Sequence, residues 1–177
     1  MSFGRLSIIV ATMTLLMTAH AGMAADRQID VCFNPGQDCT GKVVEAIGTA
    51  RRTILVQAYS FTSPPIAQAL VQAKKRGVDV RAVLDKSQRT EKYSGADFLV
   101  NGGVPVQIDA SHAIAHNKVM VLDGGTVITG SFNFTKAAQE RNAENLLVIH
   151  DPELAAQYES NWRKHAGHSE RYEGRGR

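Results

Sequence analysis

His116 and Lys118 stand two residues apart and are followed by Asp123 and by the turn Gly130-Ser131-Phe132-Asn133. Between them lie two short apolar, β-branched runs, 119–122 and 126–129, separated by Asp123-Gly124-Gly125. Such runs around a glycine-rich break predict two strands joined by a tight turn. At the start of a strand, residues i and i+2 share a face, so the imidazole of His116 and the ammonium of Lys118 are expected to be neighbours. Neutral imidazole is nucleophilic near neutral pH, and an adjacent ammonium can neutralise a phosphate oxygen. Ser131 and Asn133 add polar groups from the end of the second strand. The combination suits attack at an anionic phosphorus, although serine and asparagine also favour turns for local reasons.

The elements that must position these groups follow from periodicity. Residues 53–60 predict a strand; Pro64-Pro65 opens a helix over 66–76, which Gly77 ends. Strands are expected at 78–84, with Asp85 at the end, and at 104–108 and 145–150. Leu154, Tyr158 and Trp162 recur at helical spacing in a helix over 151–165, a stripe that reads as core. This alternation argues for an α/β domain with a mixed, largely parallel β-sheet flanked by helices. The polar stretch 86–94 reads as a solvated loop or a substrate-backbone contact. The tail 171–177, with Arg171, Arg175 and Arg177 among glycines, is expected to be disordered.

The 177 residues are 44% apolar, enough for one core. Arg5 is the only charge before Asp26, and the apolar run 6–17 is short for a membrane span, so 1–25 is expected to be a signal peptide. Residues 26–177 would then be a single exported domain, periplasmic or secreted. Removing 1–25 leaves 19 basic against 17 acidic residues, a formal +2 that permits polyanion binding without establishing it. Cys32 and Cys39 are the only cysteines, bracket a turn-rich loop and, in an exported chain, are expected to form a disulfide. His112, four residues before His116, invites a metal reading. Its surroundings read as a loop rather than a helix, and Lys118 would repel a cation, so no metal and no other cofactor is expected.

The spacing H-x-K-x4-D-x6-G-S-x-N over 116–133, followed by Asn142-Ala143-Glu144, resembles the signature of the phospholipase D superfamily. The segments Ala58-Tyr59-Ser60-Phe61-Thr62 and 130–138 resemble its small, single-motif, Nuc-like bacterial endonucleases, and the likeness extends over roughly 29–165. The resemblance implies a phosphodiesterase fold and a catalytic set of His116, Lys118, Ser131, Asn133 and Glu144, the last orienting the imidazole of His116. It implies structural roles for Asp123 and Gly130. Hydrolysis would run through a phosphohistidine, which calls for a nucleophilic histidine and a separate acid histidine. Only one histidine here carries the partner lysine, so a homodimer with a shared active site is expected. The favoured substrate is nucleic acid, DNA or RNA. A phospholipid substrate is the alternative, and a non-catalytic nucleic-acid-binding or secretion-associated protein is the reading from another class.

Overall fold

The computed structural model describes residues 27–175, and the expected signal peptide, 1–25, lies outside them. The elements are β1 (Gln28–Asn34), α1 (Cys39–Thr49), β2 (Thr53–Ala58), α2 (Pro64–Lys75), β3 (Asp79–Asp85), a 3-10 turn (Lys86–Arg89), α3 (Ala96–Asn101) and β4 (Val106–Asp109). They continue with β5 (Lys118–Leu122), β6 (Thr126–Gly130), α4 (Lys136–Glu140), β7 (Glu144–His150), α5 (Pro152–His168) and β8 (Glu170–Tyr172). The strands form one sheet in the order β1-β7-β6-β5-β2-β3-β4-β8.

Alternation along the strands sorts the core into two faces. Ile54, Val56, Val80, Ala82, Met120 and Ile128 point to the face covered by α1, α2 and α3. Leu55, Val83, Val119, Val121 and Val127 point the other way, against Ala155 and Trp162 of α5. The stripe read as core packs there, Trp162 buried and Leu154 and Tyr158 partly buried, and the Trp162 indole donates to the Val56 carbonyl at 2.8 Å. Cys32 and Cys39 are joined by a disulfide with Cα atoms 5.7 Å apart, tying β1 to the start of α1.

The α/β class and the mixed, helix-flanked sheet are found, but the sheet is not largely parallel. Among the described strands only β2–β3 and β3–β4 pair in parallel, each pair joined by a helical crossover, α2 and α3. The pairs β1–β7, β2–β5, β4–β8, β5–β6 and β6–β7 are antiparallel. The tail also departs from expectation. Glu170–Tyr172 is an edge strand on β4, the Tyr172 hydroxyl donates to Asp97 at 2.8 Å, and Arg175 pairs with the same carboxylate at 2.6 Å. Three residues are too few to show an alternating pattern, and a single buried tyrosine anchors them.

The pairing brings one end of many strands to one rim of the sheet. Ala58 at the end of β2 pairs with Lys118 at the start of β5 and with Leu84 near the end of β3. Asp85 pairs with Asp109 at the end of β4, and Gly130 at the end of β6 pairs with Leu146, two residues into β7. One end of each of the six strands β2 to β7 therefore lies at this rim.

Candidate active site

The local fold explains why the motif must have these residue types. The β5–β6 hairpin turns through Asp123 at φ 53° and Gly124 at φ 65°, with Gly125 N–H donating to Leu122 O at 3.0 Å, the backbone of a type I′ turn. The Asp123 carboxylate accepts the N–H groups of Arg51, Arg52 and Thr53 at 2.7–2.9 Å. Asp123 therefore sits at the far end of β5 from Lys118, fastening the hairpin to the start of β2. Burial would raise its pKa, but the hydrogen bonds from those amides and the nearby Arg52 charge hold the carboxyl below the ordinary range.

At the rim, Gly130 has φ 146°, and a Cβ there would lie 2.3 Å from the Asn145 carbonyl oxygen. Only glycine lets β6 run this close to β7 before the turn. Beyond it the chain alternates: Phe132 and Phe134 are fully buried, with Phe134 packed edge-on to Phe61, while Ser131 is exposed and Asn133 half-buried. The Phe134 carbonyl accepts from Thr62 and Ser63, which locks the 59–63 segment to the turn. The aromatic residues act as plugs that fix where the polar residues stand.

His116 is exposed in the loop before β5, and Lys118 is half-buried as the first residue of the strand. Their groups are neighbours across Tyr59: the His116 ring lies 4.7 Å from the tyrosine ring, and Lys118 Nζ lies 5.4 Å from its centroid. Lys118 Nζ also donates to the His116 carbonyl at 2.8 Å. Burial lowers the Lys118 pKa, countered in part by the charge of Glu144. This partly desolvated ammonium, with one carboxylate nearby, gains from an arriving anion.

Ser131 Oγ donates to one oxygen of Glu144, and Asn142 donates to the other at 2.9 Å. Glu144 thus stands beside the motif, but among the described residues no hydrogen bond links it to His116 of the same chain. The Asn133 side-chain oxygen is buried without a partner among the described residues, an arrangement that costs stability and collects at functional sites.

Three contributions were not read from sequence, where His112 was considered only as a partner of His116. Buried Asp85 accepts the Ala115 N–H at 2.7 Å and so fixes the residue before His116. Tyr59, noted only within a family-like segment, forms the floor between His116 and Lys118. The third is a cluster at the end of β4: His112, His165 and His168 gather around Asp109. Its visible trace in sequence is the pair of i, i+3 spacings, Asp109/His112 and His165/His168.

Comparison with known proteins places this geometry. The family described as "Cardiolipin synthase, PLD-like domain" matches residues 43–166. A phospholipase D from Rickettsia bellii is 45% identical over 76% of this chain and 67% of its own length. A mitochondrial cardiolipin hydrolase from Xenopus laevis is 33% identical over 69% of this chain and 58% of its own. The crystal structure of Nuc, a phospholipase D family member from Salmonella typhimurium, superposes with a TM-score of 0.80 at 40% identity, covering 83% of this chain and 99% of that one. NucT from Helicobacter pylori superposes at 0.77 with 25% identity, covering 83% and 100%. With the family match spanning well over half of its residues and His116, Lys118, Ser131 and Asn133 of the motif at one sheet rim, this chain belongs to the phospholipase D superfamily as a phosphodiesterase.

Proposed function

We propose that the protein is a metal-independent endonuclease that hydrolyses DNA or RNA at a site shared by two copies of the chain. The observation that carries this reading is the match to Nuc over 99% of that chain, which leaves a single motif at an open sheet rim with no added domain among the described residues. His116 attacks phosphorus, the bond to the leaving oxygen breaks, and His116 of the partner subunit gives that oxygen its proton. The partner's His116, now neutral, takes a proton from water. The resulting hydroxide attacks the phosphohistidine, and the phosphorus–nitrogen bond breaks to regenerate the imidazole. Lys118, Ser131 and Asn133 stabilise the charge that builds on the phosphoryl oxygens.

A lipid phosphodiester is the second reading. It is supported by the 45% identity to a protein named phospholipase D and by exposed Ile29, Val31 and Phe33 on the edge strand β1, whose last residue pairs with Glu144. Supercoiled plasmid, single-stranded DNA and RNA, and separately phosphatidylcholine and cardiolipin vesicles, are incubated with the protein in excess EDTA at low temperature. We expect nucleic acid to be cut and vesicles to remain intact, with His116→Ala inactive. Vesicle hydrolysis without nucleic-acid cleavage selects the lipid reading. Cleavage that stops in EDTA and returns with Mg²⁺ overturns the mechanism, and binding without any cleavage points to the non-catalytic class.

A further inference from the structure

Asp109 is fully buried at the end of β4 and faces three imidazoles. Its Oδ2 lies 2.7 Å from His165 Nδ1 and 3.2 Å from His168 Nε2, and its Oδ1 lies 3.2 Å from His112 Nδ1. The three rings form a nearly equilateral triangle with centroid separations of 5.0, 5.3 and 5.3 Å. One ligand atom from each of the four residues falls within 4.8 Å of all the others. We propose that Asp109, His112, His165 and His168 form a structural metal site for a first-row divalent cation, zinc foremost, that fastens the loop carrying His116 to the end of α5.

The geometry suits the ion. A tetrahedral zinc with bonds near 2.0–2.1 Å spaces its ligands by roughly 3.3 Å, so the carboxylate-to-imidazole separations are already close to the edges of such a tetrahedron. The imidazoles must draw together modestly. His112 and His168 can do so, because their side chains are 46% and 38% exposed, and the same exposure gives the ion access. One carboxylate and three imidazoles form a common zinc donor set, whereas a buried aspartate that already accepts the Ser111 N–H has no need of three further donors.

The supporting contacts fix the ligands by other means than the ion. Gln107 donates to the carbonyls of Ala166 and Ser169, the Ser169 hydroxyl donates to the His165 carbonyl, and Lys86 donates to the His112 carbonyl. The backbone of each histidine-bearing segment is thereby held while its ring stays adjustable, as a metal site needs. His165 and His168 also lie in the last turn of α5, where the helix dipole favours positive charge.

The site is separate from the chemistry. Lys118 on β5 and Asp109 on β4 lie three strand spacings apart on the same rim, roughly 14 Å. An ion there touches no reacting atom. It cross-links two segments more than 50 residues apart in sequence, of which one continues four residues on to His116. The inference uses no residue of the phosphodiesterase motif, so its failure leaves that reading intact.

The test uses untagged full chain, stripped with chelator and dialysed. Zinc binding is followed by calorimetry, cobalt(II) binding by visible absorption, and thermal unfolding is recorded with and without zinc. We expect one ion per chain, the intense visible bands of tetrahedral cobalt, and a Tm several degrees higher with zinc. His112→Ala and His168→Ala, both at exposed side chains, should each weaken binding at least tenfold and remove the Tm response. His150→Ala, whose histidine bonds Thr126 at the opposite end of the sheet, should bind like the parent chain. Binding no tighter in the parent than in His168→Ala, or only the weak bands of octahedral cobalt, overturns the proposal.

Discussion

Lys118 opens the five-residue strand β5 and Asp123 follows its last residue, and their environments move the two charges toward different tasks. Lys118 is partly desolvated at an open rim, with the charge of Glu144 offsetting its burial only in part, so an anion arriving there would be stabilised. Asp123 is already saturated by three backbone amides, and its work is done in the folded chain alone. That division makes a testable statement about pH. A carboxyl held below the unfolded value of about 3.9 stabilises the fold fully above that value and loses its contribution as pH falls through the folded pKa. Asp97 and Asp109 are held low as well, so the acid limb of stability is shared. Asp123→Asn keeps a residue that tolerates positive φ but gives up the charge-assisted bonds, and should cost about 2 kcal/mol near neutral pH. The loss should shrink below pH 4. Urea denaturation across pH 3–7 checks this, and a penalty that stays constant down to pH 3 contradicts it.

At the scale of elements, the motif strands were legible because alternation and an Asp-Gly turn state both the pairing and its register. Residues 119–122 and 126–129 predict a hairpin, and β5 and β6 are that hairpin with one residue added to one end of each. The direction of pairing elsewhere was not legible, because a strand buried on both faces reads the same whether its neighbour runs with it or against it. Nor was the role of Asp85, which looks like an ordinary polar strand end until β3 is seen to deliver it beneath Ala115. Asp85 is a positioning residue: it acts on His116 through the backbone of the loop. Asp85→Ala leaves the buried Ala115 N–H unpaired, at a cost of about 2 kcal/mol, and lets the imidazole drift. A displacement near 1 Å can lower kcat by about a hundredfold. KM should change little, since Lys118, Ser131 and Asn133 are untouched, and Asp85→Asn should recover part of the rate. Loss through KM with kcat preserved contradicts a positioning role.

For the whole molecule, the gap between motif and mechanism is a count of histidines. The superfamily was legible through the resemblance carried by residues 116–133, but the fate of the other histidines needed three dimensions: their partners lie on β4, β6 and α5, 24 or more residues away for all but His112. His112, His165 and His168 are gathered around Asp109, and His150 bonds Thr126 at the far end of the sheet. Among the described residues, then, none of these stands beside His116 to act as the acid. The proposed two-fold pair of chains would answer the need by setting one open rim against its copy, with two His116 and two Lys118 around one phosphate. If chains exchange at random, mixing wild type with His116→Ala gives fully wild-type pairs in proportion to the square of the wild-type fraction. Mixed pairs keep one imidazole and lose either the nucleophile or the acid. An equal blend, refolded together so that the subunits redistribute, should therefore retain about a quarter of the wild-type rate rather than a half. Sedimentation of the same samples should report a dimer at every ratio. A linear decline with wild-type fraction, or full activity in a species that sediments as a monomer, would mean that each chain completes the reaction by itself.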